Sequence, residues 1–356
     1  MAAQKHHKIF QLVLDHGADP NKCENILKLA FELEDADIIR IILRDGRVDP
    51  TAHQYRTIIM AIKDDVEIEC IQLVLADQRI DINDVFRKII DNPSLSPGYV
   101  ASILKFHPTF DPASWDNYAI RRLSSHKGLR VDGDVQDLLR EADVDPSACD
   151  NYAIRKASKI GNFGIIRGLL TDKRVDPCAR NNEALKGACK IGSAPSVYEL
   201  LKDSRVDPSI DNLHVTLLEI AIKNYHSEVI IELLCDERVD PSVPDNYPIL
   251  LAIRMDQVEA IIILLDDERV DPGCNNNECL RVACENRCYD AVRLLLADER
   301  VDPTTNNYEI LRTALENMDF ELMDLLSEDD RLSSYSRADS SPCRKKLKIS
   351  PEARVQ

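Results

Sequence analysis

Glycine is scarce in this chain, with eleven residues in 356, and there is a single tryptophan. That scarcity goes with missing chemistry. No Gly-x-x-x-x-Gly-Lys-Ser/Thr loop is present to cradle a phosphate, no His-Glu-x-x-His to hold a zinc ion and no Gly-x-Ser-x-Gly to raise a nucleophile. Neither an enzymatic activity nor a cofactor is therefore expected. Long apolar runs are missing as well: the longest aliphatic run, Ala260 to Leu265, is too short to cross a bilayer. The one Asn-x-Ser/Thr triplet, Asn92-Pro93-Ser94, is spoiled as a glycosylation acceptor by its proline. No apolar leader follows Met1, and the eleven cysteines of this long chain include no Cys-x-x-Cys pair. Free thiols in a reducing, cytoplasmic setting are the expectation.

What the chain has in quantity is Val-Asp-Pro. The tripeptide stands at Val48-Asp49-Pro50, Val144-Asp145-Pro146, Val175-Asp176-Pro177, Val206-Asp207-Pro208, Val239-Asp240-Pro241, Val270-Asp271-Pro272 and Val301-Asp302-Pro303. From Pro146 onward the prolines recur every 31, 31, 33, 31 and 31 residues, a period that marks stacked supersecondary units. Weaker copies at Ala18-Asp19-Pro20, Ile80-Asp81-Ile82 and Phe110-Asp111-Pro112 bring the total to about ten repeats. Between the marks lie two short apolar runs at helical spacing, for example Ile154, Ala157 and Ile160, then Ile165, Ile166, Leu169 and Leu170, split by Gly161. Asn151 is placed to cap the first helix, with Asn182, Asn246 and Asn277 in the same position. Each helix is about two to three turns long and cannot be stable alone, so the repeats must stack.

These residues resemble the ankyrin repeat family. Phe10-Gln11-Leu12-Val13-Leu14-Asp15-His16-Gly17-Ala18-Asp19-Pro20-Asn21 looks like its second helix and Gly-Ala-Asp finger, and Ala157 to Leu170 like its Ala-x-x-x-Gly stretch leading to Leu-Leu. The family's Thr-Pro-Leu-His is replaced by Tyr152-Ala153-Ile154-Arg155, Glu183-Ala184-Leu185-Lys186 and Glu309-Ile310-Leu311-Arg312, and only Tyr247-Pro248-Ile249-Leu250 keeps the proline. The resemblance implies an all-α, helix-turn-helix repeat solenoid with short extended fingers over residues 1–328, irregular around 82–146, where Asn92 to Gly98 and the Gly128 and Gly133 region loosen the pattern. Residues 329–356 are expected to be a disordered basic tail.

Formal net charge is −17; residues 331–356 hold seven Lys/Arg against two Asp/Glu, leaving −22 on the rest. Such a body repels nucleic acid and anionic membranes and favours a basic protein partner, although the acidity also serves solubility alone. In the recurrent Asp-x-Arg-Val-Asp, as at Asp172, Arg174 and Asp176, the arginine of one repeat is expected to face an aspartate of the next along a rim. Exposed pairs of that kind contribute under about 1 kcal/mol each and read as marks of register.

Cys274, Cys279, Cys284 and Cys288 lie within fifteen residues, which raises a zinc site. Cys279 falls in the slot of Ala153 and Ala184, and Cys284 in that of Ser158 and Cys189, so packing as small hydrophobes between helices is favoured. Asp132-Gly133-Asp134 with Asp137 lacks the remaining ligands of a calcium loop. The resemblance implies partners at the fingers and inner helices, which makes the slot opening each first helix the candidate contact row: Tyr118, Tyr152, Glu183, Tyr247, Glu278 and Glu309. Tyrosine there is an interface anchor or merely a cover for the finger base. In the tail, Arg344, Lys345, Lys346 and Lys348 resemble a nuclear import signal and Ser341-Pro342 a proline-directed phosphosite. A working signal would bring in an import receptor and a nuclear location. The function expected is a protein-binding scaffold or adaptor; a structural spacer without a dedicated partner, or a substrate adaptor of a larger assembly, stays open.

Overall fold

A computed structural model describes residues 2–20, 26–64, 66–90, 107, 109–111, 113–125, 136, 139–140, 144–209 and 213–332. Among these the chain is all helical. It divides into two compact units, Met1–Ala184 and Leu185–Gln356.

The helices are short, as their apolar patterns require: α1 Ala2–Asp15, α2 Ile26–Glu32, α3 Ala36–Asp45, α4 Ala52–Lys63, α5 Ile68–Leu75, α6 Ile82–Ile90, α7 Ser114–Leu123, α8 Ala148–Ile160, α9 Phe163–Leu170, α10 Ala179–Ile191, α11 Ala194–Leu201, α12 Leu213–Lys223, α13 Ser227–Leu234, α14 Tyr247–Arg254, α15 Val258–Leu265, α16 Cys274–Glu285, α17 Tyr289–Ala297, α18 Thr305–Glu316 and α19 Phe320–Ser327. In the second unit the first helices pack in order, α12 on α14, α14 on α16 and α16 on α18, and the second helices form a parallel layer from α11 through α13, α15 and α17 to α19. Each pair closes internally, α12 with α13 through α18 with α19. In the first unit α2, α4, α6, α7 and α8 follow one another, with α1, α3 and α5 as the second layer. The cores are the facing stripes, such as Ile249, Ile253, Ile261 and Leu264, all fully buried. This is the two-layer repeat architecture that the period implied.

The finger valine is core. Val144, Val206, Val239 and Val301 are fully buried, and Ile80 and Leu332 are buried where they replace valine. The following aspartate turns the chain: its Oδ1 accepts the N–H two residues on, at 2.9 Å for Ser147, Cys178, Ser209, Ser242 and Thr304. Serine or threonine at that place adds a hydroxyl donor to the same oxygen. This Asx turn explains why the proline is followed so often by Ser, Thr or Cys.

Three residues then run left-handed ahead of the right-handed turns of α8, α10 and α16, and two, Asp245 and Asn246, ahead of α14. Cys149, Asp150 and Asn151 have φ of 55°, 56° and 58°, and Arg180–Asn182 and Asn275–Asn277 repeat the turn. Asn and Asp tolerate this region far better than other side chains, which accounts for Asn-Asn-Asn and Asp-Asn at these sites. It also corrects the expected caps. Asn151 Oδ1 accepts not from its own helix but from Asp176 N in the following finger, at 2.7 Å. Asn246 does the same with Asp271 N at 2.8 Å, and Asn277 Oδ1 accepts from Asp302 N while its Nδ2 donates to Asp302 O. The asparagine therefore joins one repeat to the next. Side-chain caps form on second helices, by Asp35 on α3, Asn162 on α9 and Asp319 on α19, and on the first helix α6, where Asp81 Oδ1 accepts from Asn83 N and Asp84 N.

The arginine expectation changes too. The carboxylate that Arg269 grips is its own finger's Asp267, at 2.6 Å, not one in the next repeat. Its other donors reach back, Nη1 to Val239 O at 2.7 Å and Nη2 to Leu234 O at 3.0 Å. Arg238, Arg300 and Arg331 make the same pair of bonds to Val206 and Leu201, Val270 and Leu265, and Val301 and Leu296. The leucine carbonyls end second helices, where backbone acceptors have no intrahelical donor and a cation meets the negative end of the helix dipole. Register between repeats is thus written in arginine-to-carbonyl bonds. Arg331 belongs to a short 3-10 turn, Asp330–Leu332, so the last finger runs four residues beyond the boundary at 328 expected from the sequence.

Candidate interaction surface

All six slot residues lie at the first right-handed turn of a first helix and are half-buried. Their position follows from the left-handed turn, which ends at the residue before each. In the first unit the row is Tyr118, Tyr152 and Glu183. The Arg121 guanidinium stands 5.9 Å from the centre of the Tyr152 ring, a cation–π distance. One repeat on, Arg155 Nη1 donates to Glu183 Oε2 at 2.6 Å, and Lys159 reaches the other oxygen. These two cations, Lys159 foremost, hold the Glu183 carboxyl below its ordinary value. Arg155 is itself largely buried because its Nε and Nη2 donate to the carbonyls of Asp150 and Cys149 in the left-handed turn.

In the second unit the row is Tyr247, Glu278 and Glu309. Glu278 lies 3.6 Å from Arg281, which pairs more closely with Glu285 at 2.7 Å. Glu309 accepts from Asn306 Nδ2 at 3.1 Å. Between α16 and α18 lies a small depression lined by Arg281, Glu285, Thr305, Glu309, Ile310 and Thr313. Its walls mix charged Arg281, Glu285 and Glu309 with apolar surface from Ile310 and Cys284.

Cys279, Cys284 and Cys288 are buried, and Cys274 is half-buried. Burial pushes the Cys279 and Cys284 thiols up to about 12 and Cys288 up to about 11. Cys288 Sγ donates to Ile253 O of the preceding repeat at 3.5 Å, in the position from which Gln257 donates to Ile222 O. Among the described residues no group of three His, Cys, Asp or Glu is placed to hold a metal ion, and no helix is long and apolar enough to cross a membrane. Asp132, Asp134 and Asp137, and the tail residues Ser341, Arg344, Lys345, Lys346 and Lys348, lie outside the described residues.

Sequence reasoning missed a second surface. The large apolar residues left most exposed on helices of the second unit include Tyr198, Ile231 and Ile262, which are 50%, 49% and 48% exposed. They occupy one equivalent position on α11, α13 and α15, in the middle of a second helix. In the sequence they merge with the buried Leu-Leu and Ile-Ile pattern beside them, and only their shared offset from the finger sets them apart.

No curated protein matches the chain. Residues 218–307, about a quarter of the chain, match the family model for ankyrin repeats in three copies. They cover helix pairs α12–α13, α14–α15 and α16–α17 with the fingers between them. Residues 218–307 are ankyrin repeats, and the finger chemistry they carry recurs in the repeats on either side.

Proposed function

We propose that this protein is a non-enzymatic scaffold or adaptor that binds a protein partner through the row at the head of its first helices, Tyr118, Tyr152, Glu183, Tyr247, Glu278 and Glu309. Ankyrin repeats are in general protein-interaction modules, and the observation that carries the proposal is the division of labour within one repeat. The positions that recur from repeat to repeat, Arg, Asp, Asn and Val, have their polar atoms or apolar area consumed by the finger turn or by stacking. The slot that follows the left-handed turn carries Tyr in some repeats and Glu in others, and where it meets a neighbouring repeat, as Glu183 meets Arg155 and Lys159, it does so through side chains and not through the backbone. A position that the architecture leaves free to vary at a half-buried surface is where specificity can be written. The acidic body favours a basic partner. The tail's Arg344, Lys345, Lys346 and Lys348 would serve an import receptor, with Ser341 as the phosphosite beside them.

The test compares proteins captured from cell lysate by the full chain and by a variant carrying Tyr152→Ala, Tyr247→Ala and Glu278→Lys, with thermal unfolding as the control for folding. A protein retained by the full chain and lost by the equally stable variant supports the reading. An identical retained set for both would count against it, and retention of no protein above background would favour a spacer.

A further inference from the structure

A groove between α11 and α13 is lined by Tyr198, Leu201, Lys202, Glu232, Cys235 and Arg238. Ile231 and Ile262 continue its apolar edge onto α13 and α15. Two of its cations are occupied: Lys202 lies 5.8 Å over the Tyr198 ring, and Arg238 is tied to Asp236. Glu232 is not. It is half-buried and has no hydrogen bond or ion pair among the described residues, and burial alone pushes its carboxyl up. A carboxylate beside apolar surface without a counter-charge costs free energy that an incoming cation would recover. Exposed Glu228, Glu237, Asp266 and Glu268 extend the negative field along the rim. The surface therefore calls for a short segment with two apolar side chains set among cations.

We propose that the chain's own segment Arg344–Ile349 occupies this groove, Leu347 and Ile349 covering Ile231 and Tyr198 and its lysines facing Glu232 and the acidic rim. In an extended segment Leu347 and Ile349 share one side while Lys346 and Lys348 share the other, which suits an apolar column with an acidic margin. The reach is sufficient. Leu332, the last described residue, follows the C-terminal end of α19, and Leu201, Lys202, Cys235 and Arg238 lie at the same ends of α11 and α13. From α19 to α13 is three helix-to-helix steps, through α17 and α15, of roughly 8–10 Å each. The twelve residues 333–344 can extend to roughly 40 Å. Docking would cover the basic motif of the tail, and phosphate on Ser341 would oppose it by bringing negative charge to an acidic surface. The inference uses a different face from the first-helix row and stands or falls separately from it.

Two native cysteines report on it. Cys235 is exposed in the groove and Cys343 immediately precedes Arg344. The full chain is treated at low salt with a short bismaleimide, and the linked peptides are quantified by mass spectrometry. Exposed Cys149, in the other unit, serves as the reference. The expected result is a Cys235–Cys343 link at least about five-fold more abundant than Cys149–Cys343. It should fall about five-fold in the triple variant Lys345→Glu, Lys346→Glu, Lys348→Glu, whose changes lie outside the repeats, and likewise at high salt. Even labelling of Cys149 and Cys235 by Cys343 would overturn the proposal. So would a yield indifferent to the triple variant, or links that join isotopically labelled to unlabelled copies in a mixed sample.

Discussion

Replacing Arg269 by alanine separates two accounts of the Asp-x-Arg-Val-Asp finger. If the motif were only an exposed ion pair, the loss would be about 0.2–1 kcal/mol. The structure instead gives Arg269 two bonds across the repeat boundary, at 2.7 Å to Val239 O and 3.0 Å to Leu234 O, in addition to its grip on Asp267. Hydrogen bonds from a charged donor contribute about 1.5–3 kcal/mol each when enclosed. About a third of the Arg269 side chain faces solvent, so the low end applies to the half-buried Val239 bond and less to the exposed Leu234 bond. The sum is about 2 kcal/mol, and the Leu234 carbonyl returns to water without a cation at its helix end. Lysine at 269 keeps the charge but cannot fork to two carbonyls and a carboxylate at once, so Arg269→Lys should still lose about 1 kcal/mol.

Urea unfolding followed by far-ultraviolet circular dichroism measures the loss, with amide exchange in the repeats on either side of Val239 locating it. Asp267→Asn provides the internal control. It removes the ion pair and leaves both carbonyl bonds, so it should cost clearly less than Arg269→Ala. A loss below about 0.5 kcal/mol for Arg269→Ala, or an equal loss for Asp267→Asn, would refute the assignment of register to the carbonyl bonds.

Asn151→Ala should cost about 2 kcal/mol, because it orphans Asp176 N and sets alanine at φ 58°, whereas Asn151→Gly should cost about 1 kcal/mol, since glycine keeps the left-handed turn and loses only the bond. Acid titration of the urea midpoint should show a fall below about pH 4. The arginine beside each of Asp77, Asp203, Asp236, Asp267, Asp298 and Asp329 lowers its folded value beneath the ordinary 3.8, so the stability each contributes is present above 3.8 and is lost as pH drops through the folded value. Thiol labelling at pH 8 should modify Cys149 and Cys235 quickly, while Cys189, Cys279 and Cys284 react only on unfolding. Ending the chain after Glu328 should destabilise the last repeat by about 2 kcal/mol, by removing the Arg331 bonds and the buried Leu332, and ending it after Leu332 should not; protease resistance of α18 and α19 distinguishes the two.

Most of the fold was legible because periodicity reports burial directly. Val-Asp-Pro, the Leu-Leu run and Gly161 each announce one physical requirement, and each stands where that requirement places it: Val175 in the core, Leu169 on the facing stripe, Gly161 at φ 75° behind α8. What could not be read was where polar side chains send their bonds. Asn151 is an equally good cap or bridge on paper, and the choice depends on the left-handed turn, whose only trace is the density of Asn and Asp before each first helix. Arg174 could face either neighbour until the helix-end carbonyls were positioned. The exposed column of Tyr198, Ile231 and Ile262 was hidden for a related reason: one residue in a short apolar helix faces outward, and composition does not say which.

The framework bonds also bear on how binding could be written onto this array. Asparagine and arginine each satisfy backbone groups of a neighbouring repeat, so either can be changed only at the cost of an interface between repeats. Glu183 and Tyr152 meet side chains of a neighbouring repeat through Arg155, Lys159 and Arg121, and these contacts can be exchanged one side chain at a time. A repeat can therefore alternate Tyr with Glu at the slot while its Asp-Asn or Asn-Asn turn stays fixed. Variation confined to the slot leaves the backbone-to-backbone register intact, which is the condition under which a repeat array can acquire a partner without losing its fold.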